Sequence, residues 1–219
     1  MTLQNIGPLH GRGELNRQNF CMMDCSLDKH RRDAAAPVLY VVCMTLEPAA
    51  SIIRVGTVAD AATLTEFGRR TFHDTFAADN DPDDMAAYLA EAFTPEQQAA
   101  ELAQAECTCL LAEVDGVLAG MAYVIDRSPN EVVHGSHLVE LQRFYVDTPW
   151  HGRGVARVLM TAVVETAQAL DGDVLWLGVW ERNARAIAFY RKQGFERVGA
   201  KTFRLGADVQ TDDVMARAL

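Results

Sequence analysis

One stretch, Leu138 to Leu170, constrains this 219-residue chain more than any other: LVELQRFYVDTPWHGRGVARVLMTAVVETAQAL. Leu138–Val146 mixes aliphatic, aromatic and β-branched residues and stops at the turn formers Asp147, Thr148 and Pro149, which predicts a strand. Val155, Val158, Leu159, Ala162 and Val163 then recur at helical spacing and give one apolar stripe. Between strand and helix lies His151-Gly152-Arg153-Gly154-Val155-Ala156. The first turn of a helix has amides without intrahelical partners, and the helix dipole adds partial positive charge there. Glycine lets an anion approach the backbone because no Cβ blocks it. Arg153 would add a charge-assisted contact. A strand, a glycine turn and a helix N-terminus in this order predict a cradle for a pyrophosphate.

Two familiar phosphate motifs do not fit. The dinucleotide fingerprint Gly-x-Gly-x-x-Gly has Arg157 where its third glycine belongs, and the P-loop's terminal Gly-Lys-Ser/Thr is absent. The acyl-CoA signature [Gln/Arg]-x-x-Gly-x-[Gly/Ala] does fit at Gly154 and Ala156, with His151 in the first place. Through these residues the chain resembles the GNAT superfamily of N-acetyltransferases. The tetrapeptide His-Gly-Arg-Gly also occurs at His10–Gly13, but no strand precedes that copy and no apolar stripe follows it. A second, independent likeness lies at Asn183, Ala186, Phe189, Tyr190, Gly194 and Phe195, which match Asn-x-x-Ala-x-x-Phe-Tyr-x-x-x-Gly-Phe of the same superfamily.

Element order agrees. Ile52–Gly56 is predicted as the first strand, and Asp60 as the cap of a helix through Leu64, Phe67 and Phe72. Asn80–Asp84 is a turn capping a helix over Met85–Phe93, and Thr94-Pro95 opens a third helix to about Glu106. Asp115-Gly116 joins Thr108–Val114 and Val117–Ile125 as a hairpin, with Cys107 and Cys109 facing one side as buried residues. Arg127–Ser136 is a loop, and Asp171-Gly172 ends the cradle helix. Asp173–Trp180 reads as an interior strand, Asn183–Gln193 as a short helix ended by Gly194, and Phe195–Leu205 and Asp213–Leu219 as closing strands. The order β-α-α-α-β-β-β-α-β-α-β-β over residues 52–219 predicts an α/β (α+β) protein. The resemblance implies the GNAT acyl-CoA N-acyltransferase fold, a mixed, mostly antiparallel sheet flanked by helices.

The resemblance also implies roles. Acetyl-CoA would enter between the fourth and fifth strands. Phe144, Tyr145 and Val146 would hold its pantetheine amides through their backbone, His151, Gly152, Arg153, Gly154, Val155 and Ala156 its diphosphate, and Asn183 would make a further contact. Tyr190, two helical turns beyond Asn183, is the acid for the leaving thiolate. A phenol of pKa about 10 is protonated at neutral pH and needs no tuning. Glu140 is the candidate base, acting directly or through water; the alternatives are a solvent-exposed carboxylate or one paired with Arg143. No metal is required. Phe72–Phe93 resembles the polyamine (spermidine/spermine) acetyltransferase branch, whose acceptors are small cationic amines. A protein N-terminus or lysine as acceptor, and a non-catalytic acyl-CoA-binding regulator, are the competing readings. Members of the superfamily often form homodimers.

Charge and cysteine content set the outer bounds. Residues 1–51 balance five basic against five acidic side chains, so the whole formal charge of -10 belongs to the remainder, 15 basic against 25 acidic. So acidic a domain is poorly suited to nucleic acid and is compatible with a small cationic substrate or a basic peptide, solubility being the alternative reason for the charge. The leader, residues 1–51, lacks periodicity and reads as loosely attached or disordered, with Met44 as an alternative start. Its Cys21, Cys25 and His30 lack a fourth ligand at zinc-like spacing. Five cysteines without a pairing pattern, no secretory signal and no apolar run of membrane length point to a cytoplasmic protein.

Overall fold

The computed structural model describes residues 51–219. The expectations placed on residues 1–50, including the loose leader, the start at Met44 and the Cys21/Cys25/His30 group, lie outside the described residues.

The described residues form one seven-stranded sheet: β1 (Ser51–Val55), β2 (Cys107–Val114), β3 (Val117–Ile125), β4 (Leu138–Val146), β5 (Val174–Trp180), β6 (Glu196–Leu205) and β7 (Asp208–Ala218). Five helices accompany it: α1 (Ala61–Phe76), α2 (Pro82–Ala92), α3 (Pro95–Leu102), α4 (Val155–Ala169) and α5 (Ala184–Lys192). The spatial order is β1-β2-β3-β4-β5-β7-β6. Of these pairings β4–β5 is parallel and the others antiparallel, so the chain needs a crossover between β4 and β5, and α4 supplies it.

Local chemistry explains most boundaries. Asp115 and Gly116 both have positive φ, 52° and 76°, as a tight hairpin turn requires. Asp81 accepts from the amides of Asp83 and Asp84 and starts α2 with Pro82 at its first position. Thr94 accepts from the Gln97 amide and starts α3 in the same way. Four details depart from expectation. Asp60 precedes α1 but does not cap it, because its carboxylate is turned back onto the Thr57 amide and the Arg54 guanidinium. α3 stops at Leu102, where the chain turns into the sheet and Cys107 donates its amide to Gln104 instead. The left-handed residue after α4 is Asp171, with φ 58°, and not Gly172. Finally, β7 begins at Asp208, five residues before Asp213. Its polar first half pairs with Lys201–Leu205 of β6 and carries no apolar alternation from which a strand could be read.

The sheet is covered on both faces. α4 and α5 pack Val155, Leu159, Val163, Ile187 and Tyr190 against Leu110, Ala122, Val139, Leu175 and Met215. α1 covers the opposite face, with Leu64 and Phe67 against Leu111, Met121 and Tyr123. Cys109 is buried in this second layer, and Cys107 packs against it. Burial pushes both thiols up, to about 12 and about 11, so neither is a nucleophile at neutral pH.

α1 meets the residues after α2 so closely that a Cβ on Gly68 would lie 2.5 Å from the Phe93 ring, itself fully buried. Gly68→Ala is therefore expected to destabilise the fold by about 1–3 kcal/mol through overpacking, against the usual gain of Ala in a helix. Chemical denaturation of the two proteins checks it; an unchanged midpoint would mean that Phe93 can swing away.

Candidate active site

β4 and β5 are paired for only three residues, Leu138↔Val174, Val139↔Leu175 and Glu140↔Trp176. Beyond Glu140 they part. The cause lies in β4's other ladder: Arg143 pairs with Tyr123 and Leu141 with Val124, so Gln142 is an extra residue on β4. Such a bulge bends its strand and sharpens the local twist, here at the point where pairing with β5 ends. The gap is a cleft of about 770 Å³. Residues Leu141 to Val146 line one wall and Gly178, Val179 and Trp180 the other, so main-chain groups of β4 on this side lack a strand partner. Phe144 packs toward α5, its ring centroid 5.7 Å from that of Phe189, while Tyr145 points to the opposite face against Phe72 and Phe93. Val146 lends its carbonyl to His151.

The glycine turn closes one end of the cleft. Gly152 and Gly154 have φ of 75° and 89°, and nothing stands within 4 Å of a Cβ at either position. A side chain there would project into open space in front of the helix while straining the backbone. Among the described residues, the amides of Gly152, Gly154, Val155 and Ala156 find no protein acceptor, whereas those of His151 and Arg153 do. Four free amides at a helix mouth fit a diphosphate.

The side chains of this turn are arranged otherwise than the sequence suggests. Arg153 does not line the cleft; its guanidinium lies 5.6 Å over the Trp150 ring, and Val155 is a core residue. His151 has both ring nitrogens engaged, Nε2 with the Val146 carbonyl at 2.8 Å and Nδ1 with Arg185 Nη1 at 2.9 Å. The imidazole thus ties the turn to β4 and holds Arg185. The cations lining the cleft here are Arg157 and Arg185. Neither was singled out as a ligand from sequence, where both sit on helices among other arginines.

Tyr190 is 8% exposed, lines the cleft, and touches Phe144, Phe189 and Phe195 edge-on. Burial raises its hydroxyl's pKa well above that of a free phenol, so the proton is retained at any working pH. Asn183 also lines the cleft, but its carboxamide oxygen caps α5 by accepting from the Ala186 amide at 3.1 Å.

On the α1 side the cleft widens into an aromatic chamber. Phe72 stands 4.8 Å from Tyr88, Tyr88 5.5 Å from Phe203, and Phe76 5.9 Å from Trp180, which draws α1, α2, β5 and β6 together. Glu140 faces this chamber. It is neither exposed nor paired with Arg143: Ser128 donates to its Oε2 at 2.7 Å, and Lys201 Nζ lies 3.9 Å from Oε1. Arg143 instead pairs with Glu101 of α3. Asp212 reaches the same chamber from β7, one position ahead of the strand that the sequence pattern predicts from Asp213.

Among the described residues no group of three His, Cys, Asp or Glu side chains is placed to hold a metal, and no helix is long and apolar enough to cross a membrane.

Comparison with known proteins bears on this cleft. A profile of the Acetyltransferase (GNAT) family matches residues 71–195, which include β4, the glycine turn and α5. An uncharacterized N-acetyltransferase of the pepI 3′ region in Lactobacillus delbrueckii subsp. lactis is 35% identical over 161 residues, 73% of this chain and 92% of that protein. N-alpha-acetyltransferase RimI of Mycobacterium tuberculosis is 37% identical over 75 residues, 33% of this chain and 46% of that protein. Among solved structures, the PaiA N-acetyltransferase of Thermoplasma acidophilum in complex with coenzyme A superposes with a TM-score of 0.63 at 18% identity, over 78% of this chain and 99% of that one.

Proposed function

The chain belongs to the GNAT family of acetyltransferases and is an acetyl-CoA-dependent N-acetyltransferase, and on that premise we propose that its acceptor is the primary amine of a small cationic molecule such as a polyamine. One observation carries the choice of acceptor. The chamber at the acceptor end sets two buried carboxylates, Glu140 and Asp212, among Phe72, Phe76, Tyr88, Trp180 and Phe203. Carboxylates with aromatic faces bind an alkylammonium by charge and by cation–π attraction.

The geometry supports the following roles. The thioester would lie between β4 and β5, its diphosphate on the free amides from Gly152 to Ala156 with Arg157 and Arg185 beside them. Unpaired main-chain groups of Phe144 and Tyr145 would hold the pantetheine arm. That anchoring fixes the acetyl carbon near the last β4–β5 pair and makes the attack effectively intramolecular. Tyr190 gives its proton to the departing thiolate. The ammonium arrives from the α1 side and must lose a proton before its nitrogen can attack; Glu140 and Asp212 are the carboxylates that face it.

A thiol-release assay over spermidine, spermine, amino acids, aminoglycosides and peptides with free N-termini tests the acceptor class. Polyamines should give the highest kcat/KM; turnover confined to peptides would overturn the proposal in favour of a protein acceptor. The likeness to RimI over 75 residues is the observation that favours that second reading. Removal of residues 1–50 is expected to leave kcat and the acetyl-CoA affinity within about twofold, since the sheet and cleft are built from residues 51–219. A folded but inactive truncation would show that the leader takes part.

A further inference from the structure

Asp212 stands on β7 with Trp180 of β5 and Lys201 of β6 as its cross-strand partners. Its side chain is on the acceptor face of the cleft and is 8% exposed. Gly178 opens the space it occupies: a Cβ there would lie 3.1 Å from Asp212 Oδ2 and 2.9 Å from Lys201 Nζ. Lys201 therefore lies across β5 between the two carboxylates, 3.9 Å from Glu140 and 5.3 Å above the Trp176 ring, yet it forms no ion pair as close as 4 Å with Asp212. Glu140 already has the Ser128 hydroxyl. Asp212 has no hydrogen-bond donor among the described residues. No fully buried side-chain oxygen among the described residues lacks a partner, so the Asp212 oxygens open onto the cleft; a carboxylate largely removed from water without a donor is held there at a cost, and such groups cluster at functional sites.

We infer that Asp212 is the residue that contacts the acceptor's ammonium and takes its proton, while Lys201 stays with Glu140. The inference rests on the amine acceptor proposed above. The step balances: the ammonium loses its first proton to Asp212, its nitrogen bonds to the acetyl carbon as the C–S bond breaks, and the thiolate takes the Tyr190 proton. The second nitrogen proton restores Tyr190. Glu140 in this scheme holds Lys201 and orients it.

Burial pushes the Asp212 carboxyl up to about 6; Lys201 on β6 opposes this and Asp213 on its own strand adds to it. Glu140 on β4 and Tyr88 on α2 also face the chamber. The sign is definite. A carboxyl whose folded pKa exceeds the unfolded one, 3.8, stabilises the fold only while protonated, so its contribution is full below pH 3.8 and lost as pH rises through about 6. Asparagine imitates the protonated form.

Asp212→Asn should thus melt a few degrees above the wild type at pH 7.5 and level with it near pH 4, with the acetyl-CoA-induced shift unchanged. Its kcat/KM for spermidine should fall about 100-fold, and the acid limb of the wild-type profile near pH 6 should disappear. A structural aspartate predicts the opposite stability change. A variant less stable than wild type at pH 7.5, or one within about threefold in kcat/KM, overturns the inference. Wild-type protein that binds acetyl-CoA but leaves spermidine unacetylated refutes the cationic acceptor instead, and the stability comparison still decides whether Asp212 is held against its own preference.

Discussion

Gly154→Glu is expected to abolish acetyl-CoA binding. In the wild type, ligand at 100 times its Kd adds about 2.7 kcal/mol to the folded state, which for a chain of this size is a rise in Tm of roughly 5–10 °C. Gly154 is the residue before α4, held at φ 89° with open space where its side chain would be. Glutamate there acts twice. A residue with a Cβ is strained by about 1–3 kcal/mol in this left-handed region. A carboxylate is also set in front of the four free amides, where it satisfies them itself and repels a diphosphate. Affinity should fall more than about 100-fold, that is, by more than roughly 2.7 kcal/mol. Gly154→Ala separates the two effects. It carries the strain without the charge, so it should lower the melting temperature of the free protein while keeping most of the ligand-induced shift. If Gly154→Glu keeps the full shift, the diphosphate does not sit at this helix mouth.

Tyr190→Phe should reduce kcat by about 100-fold or more and leave the acetyl-CoA affinity within about twofold. The ring contributes to the core through Phe144, Phe189 and Phe195, and phenylalanine preserves all of those contacts. Only the hydroxyl is lost, and among the described residues burial alone, with no hydrogen-bond partner, perturbs it. Because burial raises its pKa, the wild-type hydroxyl stays protonated through the neutral and mildly alkaline range, so its ionisation should impose no limb on the rate below about pH 10. Pre-steady-state thiol release separates chemistry from product departure. An unchanged burst rate in the variant would take the acid's role away from Tyr190 and give it to solvent.

These variants probe residues that could be named from the chain alone, and it is clear why. Gly154 and Tyr190 belong to short segments whose local signals agree: a strand pattern, a glycine turn, an apolar stripe, an Asn183 cap. The hairpin at Asp115-Gly116 and the starts of α2 and α3 are of the same kind, each decided within about four residues by dihedral preference or a capping side chain. Where local preference is weak, the neighbouring elements decide instead. Asp208–Asp212 is a strand because β6 lies beside it, and α3 ends early because the sheet draws the chain away.

The sequence by itself determined the order of elements and the two motifs that bracket the cleft, because hydrophobic period, turn chemistry and helix caps act over neighbouring residues. The tertiary structure alone decided the opening between β4 and β5, through the extra residue Gln142, and which side chains meet in it. Asp212, Lys201 and Glu140 come from three strands and up to 72 positions apart, and Arg185 reaches His151 across 34. Register and sheet order bring such groups together. They are settled by long-range pairing and by which face each strand turns to the core, and no local stretch of this chain encodes them.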